Sequence, residues 1–217
     1  RTNLSRYFSP NVVDQLSQND DPLKQVRRQD VAVLFIDIIG FTRLAAGQDA
    51  LKVIELLRGF HGRMEREVFR HHGTLDKYLG DGLMATFGTP MAGTQDATNA
   101  LACARDMISA LNQWNLARRR AGEPEIHVGI GIHFGEAVLG DIGANRLEYA
   151  VIGTAVNIAA RLEVMTRDLQ SDIVISDQLR QQVQTENVDV TLIDPFIPQP
   201  DQKIRGLDQS MTVWTLT

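Results

Sequence analysis

The stretch VAVLFIDIIGFT, residues 31–42, decides the fold and places the first candidate functional side chain. Its first half, residues 31–36, is a short apolar run rich in Val and Ile, which predicts a buried β-strand. Asp37 ends this run, and a carboxylate in such a place is costly unless it is paired or bound to a metal. Two interpretations stay open here: Asp37 only caps the following helix, or it binds a cation together with a second carboxylate.

The composition is that of a globular domain. The chain has 217 residues, of which 43% are hydrophobic and 23% charged, and its net charge is -5. This length suits one large domain or a domain with appendages, and the negative charge argues against nucleic acid as a partner. No apolar run approaches the length of a membrane span. Because the chain begins with Arg rather than Met, we expect it to be part of a longer protein, whose other portion holds a sensor or a membrane anchor.

The cysteine and the histidines exclude two further kinds of site. The single cysteine, Cys103, excludes an internal disulfide framework and fits a reducing compartment, so we expect a cytoplasmic location for this domain. The histidines do not predict a transition-metal site, because they lack a convincing ligand spacing for zinc. Those whose spacing argues against such a site are His71, His72, His127 and His133, four of the five histidines in the chain.

The order of elements after the first strand predicts the fold class. Residues 50–69 have helical periodicity, 74–79 and 83–87 form a hairpin around Gly80-Asp81-Gly82, a second helix follows residues 94–96, and 126–134 form a strand. The order strand, helix, hairpin, helix, strand predicts an α+β fold with a ferredoxin-like βαββαβ core. In this core an antiparallel sheet is covered on one face by two helices, and the first strand lies beside the hairpin.

The rest of the chain predicts an αβ extension at the C-terminus. We expect residues 137–142 to return antiparallel to the strand at 126–134, and a helix over 153–165. A strand at 172–176, a helix at 177–183, strand pieces at 188–193, 203–205 and 211–216, and a Pro-rich loop at 195–200 follow. We divide the chain into a lead-in segment, residues 1–29, and the main domain, residues 30–217.

The predicted topology gives Asp37 a partner. The hairpin tip lies next to the end of the first strand, so Asp81 can meet Asp37. Two adjacent carboxylates repel each other unless a cation lies between them, and Mg²⁺ prefers oxygen ligands of this kind. Asp between two glycines is also a common turn residue, which is the alternative for Asp81 taken alone. Taken together, the two residues predict a divalent metal site.

Three motifs give the chain its resemblance to a known family. FIDIIGFT (35–42), KYLGDGLMATFG (77–88) and YAVIGTAVNIAARLE (149–163) resemble, in the same order, the class III nucleotide cyclase catalytic domain. The resemblance runs from about Val31 to the C-terminus. The lead-in, with RYFSPNVVDQL (6–16), is similar to the segment that precedes such domains in multidomain bacterial cyclases, which implies fusion to an upstream sensor or regulatory domain.

The resemblance implies an adenylate cyclase that converts ATP to 3′,5′-cyclic AMP and pyrophosphate. It implies two Mg²⁺ or Mn²⁺ ions per site, bound by Asp37, Asp81 and the backbone carbonyl of Ile38. One ion activates the ribose 3′-hydroxyl for in-line attack on the α-phosphate, and the other holds the triphosphate. The N–H groups implied to hold the terminal phosphates are those of Ile39, Gly40, Phe41 and Thr42.

The later motifs imply further roles. Asn157 corresponds to the family's ribose-orienting Asn, and Arg161 to the Arg that stabilises charge on the α-phosphate in the transition state. Their spacing of four residues puts both on one helix face. Arg205, in KIRG, falls where the family often has a phosphate-contacting Lys or Arg. The alternatives are an ordinary solvent-exposed helix residue for Arg161 and an exposed strand residue for Arg205.

Base selection is implied to depend on Lys77 and Ala150. Lys77 matches the Lys of adenine-specific members, where guanine-specific members usually have Glu; the alternative is a solvent-facing strand residue. Adenylate cyclases usually carry Asp, Thr or Ser at the position of Ala150, and Ala has no side-chain acceptor. This departure weakens the adenine contact. ATP is still favoured, because no carboxylate is supplied for the guanine edge.

The resemblance also implies a homodimer. In the family each site is shared at a head-to-tail interface, so two equivalent sites are expected. One protomer supplies Asp37 and Asp81, and the other supplies Lys77, Asn157, Arg161 and Arg205. Three alternatives to an adenylate cyclase stay open: a guanylate or mixed-specificity cyclase, a diguanylate-cyclase-like or polymerase-palm enzyme, and a nucleotide-binding regulatory domain without turnover.

Overall fold

The computed structural model describes residues 4–19, 21–143 and 148–217, so residues 1–3 and 20 of the predicted lead-in lie outside the described residues. Within these ranges the strands form one eight-stranded sheet. The strands are β1 (Arg27–Ile38), β2 (Thr74–Leu79), β3 (Gly82–Phe87), β4 (Val128–Asp141), β5 (Tyr149–Ile152), β6 (Ile173–Ser176), β7 (Ile197–Gln202) and β8 (Met211–Leu216). The helices are α1 (Pro10–Gln18), α2 (Asp21–Lys24), α3 (Phe41–Ala45), α4 (Ala50–Arg70), α5 (Asp96–Arg120), α6 (Thr154–Asp168) and α7 (Asp177–Glu186).

The core of the sheet has the predicted topology. Its first four strands lie in the order β2-β3-β1-β4, and β1 is antiparallel to both of its neighbours. The ferredoxin-like α+β prediction is therefore confirmed, and so is the place of the first strand beside the hairpin.

Helices cover the sheet on both faces. Because side chains alternate along β1, this strand packs against helices on each side. Leu34 and Ile36 belong to one cluster, with Phe60 of α4 and Met107 of α5. The intervening residues of β1 point to the opposite face, where Val33 and its neighbours pack against α6. A strand that is buried on both faces reads as a continuous apolar run. Asp37 continues the α6 side of this alternation, which decides its surroundings.

The prediction of a separate strand at residues 137–142 is wrong. β4 is a single strand that pairs with β1 along its whole length, from Arg27 opposite Leu139 to Ile38 opposite Val128. The first residues of β1 are polar and give no apolar pattern, so the sequence predicts β1 too short. For the same reason it predicts its partner β4 too short. β5 instead pairs with the end of β4. β1 thus begins inside the predicted lead-in, and the division at residues 29 and 30 stays a prediction.

The αβ extension continues the sheet in the order β4-β6-β8-β7, with β6 parallel to β4. Three local predictions fail here. Residues 188–193 contain a 3-10 turn, Val190–Ile193, rather than a strand, and 203–205 form no strand. The expected Pro-rich loop contains most of β7. Edge strands tolerate proline because its missing N–H costs no ladder hydrogen bond on the open side.

The lead-in packs on the domain through its own small core. Pro10 begins α1, as predicted from Ser9-Pro10. Phe8, Val13, Leu16 and Leu23 are buried together, with Tyr149 of β5 against them. In the described part of the chain, no helix is long and apolar enough to cross a membrane.

Candidate active site

The structure brings Asp37 and Asp81 into contact at the end of β1. The N–H of Ile38 donates to Oδ1 of Asp37 at 3.0 Å and to Oδ2 of Asp81 at 3.2 Å. Gly82 permits this approach of the hairpin tip, because a Cβ at that position would lie 2.2 Å from the carbonyl oxygen of Ile36. The topology that predicted the meeting of the two carboxylates therefore also explains the glycine after Asp81.

The surroundings of Asp37 disfavour its ionised form. Burial, then the hydrogen bond and charge of Asp81, and then the charge of Glu163 raise the pKa of Asp37 from 3.8 to about 7, while Arg167 lowers it. Carboxylates that repel each other in this way favour a cation between them. Two carboxylates beside a backbone carbonyl, that of Ile38, are the hard oxygen donors that Mg²⁺ and Mn²⁺ prefer. The donor set fits the ions implied by the family resemblance.

An ion pair on α6 lies behind Asp37. Glu163 is buried, with 5% of its surface exposed, and its Oε2 lies 2.7 Å from Nη1 of Arg167. Nη2 of Arg167 lies 3.8 Å from Oδ2 of Asp37. Gly131 of β4 allows α6 to come this close, since a Cβ there would lie 2.2 Å from the backbone nitrogen of Glu163. The pair was missed from the sequence, although its spacing of four residues on a helix is a recognisable signal.

His61 of α4 holds the hairpin tip from the other side. Its Nε2 donates to the carbonyl oxygen of Asp81 at 3.2 Å, and its ring lies 4.4 Å from that of Tyr78. Burial lowers the pKa of His61, which favours the neutral imidazole. Nothing in the sequence singled this residue out, because it lies within the polar part of an ordinary amphipathic pattern.

Of the four N–H groups predicted to hold phosphates, one is already engaged. The N–H of Ile39 donates to the carbonyl oxygen of His127 at 2.8 Å, so it is not available in this conformation. Gly40 has a left-handed backbone, with φ 68°, which favours glycine and turns the chain into α3. The N–H groups at the start of a helix have no intrahelical partner, which leaves those of Gly40, Phe41 and Thr42.

The two positions predicted to select the base lie on different strands, β2 and β5. Lys77 is exposed on β2, with its Nζ 3.6 Å from Oδ2 of Asp76, a side chain that is 6% exposed. Burial is the main cause that raises the pKa of Tyr149 to about 12, and the charge of Asp76 raises it further. Tyr149 precedes Ala150 on β5.

Asn157 and Arg161 lie on a different side of α6 from the pair behind Asp37. At 100° per residue, Arg161 and Glu163 point about 200° apart around the helix. Asn157 is exposed, and a Cβ on Gly206 would lie 3.6 Å from Nη2 of Arg161. The turn that carries the exposed Arg205 thus lies against Arg161. These three residues are grouped together, but α6 directs Arg161 away from Asp37 of the same chain.

The chain is similar to proteins of known class. Adenylate cyclase 1 of Rhizobium meliloti (strain 1021) is 36% identical over 150 residues, which are 69% of this chain and 23% of that protein. The chain thus spans less than a quarter of the length of this curated relative.

Solved structures of both substrate classes are similar to the chain. The guanylyl cyclase Cya2 superposes with a TM-score of 0.75 at 29% identity, over 87% of this chain and 92% of that one. The adenylyl cyclase CyaB from P. aeruginosa gives 0.70 at 27% identity, over 89% and 96% of the two chains. A family model described as "Adenylate and Guanylate cyclase catalytic domain" matches residues 23–216. Because this match contains both the carboxylate pair and the helix with Asn157 and Arg161, the chain belongs to the adenylate and guanylate cyclase catalytic domain family.

Proposed function

We propose that the chain is the catalytic domain of an adenylate cyclase, which forms 3′,5′-cyclic AMP and pyrophosphate from ATP. The contact between Asp37 and Asp81 carries the proposal, because two carboxylates that share one N–H and repel each other are suited to divalent ions and a triphosphate. Asp37, Asp81 and the carbonyl of Ile38 would hold two Mg²⁺ or Mn²⁺ ions. When bound, such ions acidify the ribose 3′-hydroxyl and offset the phosphate charge.

The remaining polar groups would orient the nucleotide. Asn157 is assigned to the ribose and Arg161 to the α-phosphate, where a planar guanidinium suits the charge spread over the phosphoryl oxygens in the transition state. Arg205 and the N–H groups of residues 40–42 are assigned to the outer phosphates. These groups act by positioning and charge, which supply most of the catalysis in phosphoryl transfer.

Each site would combine residues of two protomers. Glu163 and Arg167 occupy the side of α6 that faces Asp37, and Arg161 points elsewhere. In a single chain, Asn157 and Arg161 therefore do not converge on the carboxylate pair. A head-to-tail homodimer with two-fold symmetry would give both sites a complete set.

ATP is the proposed substrate because Lys77 replaces the Glu that is usual in guanine-specific members. A mixed specificity is the second candidate, since Ala150 offers no side-chain acceptor to the adenine amino group and the chain is similar to the guanylyl cyclase Cya2. A cytoplasmic location and an upstream regulatory domain complete the proposal. The buried free thiol of Cys103 fits a reducing compartment, and the longer curated relative leaves room for further domains.

A turnover assay tests the proposal. The purified chain is incubated with ATP or GTP and Mn²⁺, and the cyclic products are separated by chromatography. We expect cyclic AMP from ATP in the parent protein and a loss of at least about 100-fold in the Asp37→Asn variant, as is typical when a transition-state charge partner is lost. Cyclic GMP as the main product would reject the ATP assignment. Nucleotide binding without either product would favour the regulatory-domain alternative.

A further inference from the structure

A second cluster of ligand-type side chains lies on the helices that cover the sheet. Glu67 and His71 belong to the last turn and the C-cap of α4, and Asp106 belongs to α5. One oxygen or nitrogen of each lies within 4.8 Å of those of the other two. The cluster is at the start of β2, whereas Asp81 follows the end of that strand, so about 20 Å of strand separates the two.

The buried member of the cluster, Glu67, has an ion-pair partner but no hydrogen bond at one of its oxygens. Glu67 is 7% exposed, and its buried Oε2 accepts no hydrogen bond. Nη2 of Arg70 lies 2.9 Å from this oxygen. The same nitrogen lies 2.5 Å from Oδ2 of Asp106, which also lies 2.7 Å from Nε2 of His71. One guanidinium thus provides the counter-charge for two carboxylates.

We propose that Glu67, His71 and Asp106 form a zinc site that joins α4 to α5 and is separate from the Asp37 and Asp81 pair. Zn²⁺ binds His nitrogen and carboxylate oxygen, commonly with three protein ligands and a water. Tetrahedral ligands lie ~3.4 Å apart at the usual bond lengths, so the three side chains would have to move closer from their present spacing of up to 4.8 Å.

The geometry of the helices suits such a site. Glu67 and His71 are four residues apart, so they project from one helix face. His71 and Asp106 are 17% and 41% exposed, which leaves a path for the ion from solvent. The histidine spacing missed this cluster because its third ligand is 35 residues away, on another helix.

Whether the cluster is a metal site or only an ion-pair network depends on whether Arg70 can leave it. Its side chain is 58% exposed, so the guanidinium can move into solvent when the ion takes its place. The negative character of the cluster also reaches the buried thiol of Cys103, whose pKa is raised by burial and further by the charges of Glu67 and Asp106. A doubly charged ion would offset this field more fully than one guanidinium.

Zinc binding can be measured without any assay of turnover. The full chain with Asp37→Asn and Asp81→Asn, which removes the other acidic pair, is titrated with Zn²⁺ in competition with a chromogenic chelator. We expect one ion per chain, and an affinity at least about tenfold lower after His71→Ala. The matched control is His72→Asn, since His72 is exposed and has φ 60°, a conformation that Asn tolerates. Absence of binding, or an equal loss in the control, would overturn the proposal.

Two further variants separate the site from the ion-pair network. Arg70→Gln removes the competing guanidinium, so we expect tighter zinc binding, by several-fold, in the same background. Unchanged or weaker binding would reject the cluster as a metal site. Zn²⁺ should also raise the Tm of the background protein but not of its Glu67→Gln variant. Asp106→Asn, at a partly exposed position, serves the same purpose if Glu67→Gln does not fold, and a full Tm rise in the variant used would contradict the assignment.

Discussion

Asp37 and Asp81 accept hydrogen bonds from the same N–H group, that of Ile38, although Asp37 lies on β1 and Asp81 in the turn between β2 and β3. Neither carboxylate has this donor to itself, and burial and mutual repulsion raise the pKa of Asp37 to about 7. When both carboxylates are ionised, holding them in this way costs the protein stability. A cation bound between the two carboxylates would offset this repulsion, so we expect the protein's stability to depend on pH and on divalent ions.

The first prediction concerns stability against pH in metal-free buffer. Because the folded-state pKa of Asp37 is raised from 3.8 to about 7, the folded protein binds the proton more tightly than the unfolded chain between these values. Stability from this group is full below pH 4 and is lost as the pH rises towards 7. After discounting for the exposed part of the carboxylate, we expect a loss on the order of 1 kcal/mol.

Urea unfolding at pH 5 and pH 7.5, with a chelator present, measures this loss. The Asp37→Asn variant should lose less stability over the same interval, because its amide does not titrate. Mn²⁺ should restore the parent protein at pH 7.5 but not the variant. An identical pH dependence in both proteins would contradict the assignment of the raised pKa to Asp37.

The second prediction tests the shared site by mixing variants. Asp37→Ala and Arg161→Ala should each be inactive, because one removes a proposed metal ligand and the other a proposed phosphate contact from every site. In an equal mixture that exchanges subunits, half of the dimers are mixed and each has one intact site, so about a quarter of the parent activity should return.

A matched mixture makes this result specific. Asp37→Ala combined with Asp81→Ala should restore nothing, since both residues come from the same protomer in each site. If the first mixture also restores nothing although subunit exchange is demonstrated, the two-chain site is wrong. Restoration in the second mixture would contradict the assignment of both carboxylates to one protomer.

The sequence predicts those contacts that follow from the order of the strands. It does not predict those that depend on how closely a helix packs on the sheet. The meeting of Asp37 and Asp81 could be predicted, because it follows from strand order alone. The pair Glu163 and Arg167 could not, because its contact with Asp37 depends on how closely α6 approaches Gly131. Likewise the polar start of β1 has no periodicity, so its pairing with β4 became visible only in the sheet register.

The third prediction assigns a positioning role to Arg167. Its guanidinium lowers the pKa of Asp37, so Arg167→Gln should raise that pKa further. The variant should require more Mn²⁺ for half-maximal activity and show a pH optimum shifted to higher pH, with cyclic AMP formation retained at saturating metal. Arg180→Gln, on α7, is the control, since Arg180 stacks on Trp214 and is not among the groups that act on Asp37. A uniform loss of activity without a change in metal requirement would indicate a merely structural role.

The fourth prediction concerns base selection at Ala150. Thr at this position adds a hydroxyl that can accept from the adenine amino group. Because one added hydrogen bond contributes about 1 kcal/mol, we expect Ala150→Thr to raise the ratio of kcat/KM for ATP over GTP several-fold, mainly through KM. The isosteric Ala150→Val lacks the acceptor and should not do so. Equal effects of Thr and Val would show that volume, and not hydrogen bonding, governs the position.

The fifth prediction concerns the lead-in as a coupling element. Phe8 packs edge-on against Tyr149, with ring centroids 6.4 Å apart, and the carbonyl of Tyr7 accepts from the N–H of Leu75 at 2.7 Å. These contacts reach β5 next to Ala150 and β2 shortly before Lys77. A displacement of the lead-in would therefore act on both base-selection positions at once. We expect Phe8→Ala to cost about 3 kcal/mol of stability and to raise KM for the nucleotide.

The comparison variant is Val13→Ala, which loosens the same small core without touching the Tyr149 ring contact directly. It should lower stability by about 1 kcal/mol or more while leaving KM nearly unchanged under conditions where both variants are folded. Removing residues 1–18 from the full-length protein extends the test to regulation, and unchanged basal and regulated activity would refute the coupling role. If KM rises in both variants in proportion to their loss of stability, the coupling does not depend on the contact between Phe8 and Tyr149.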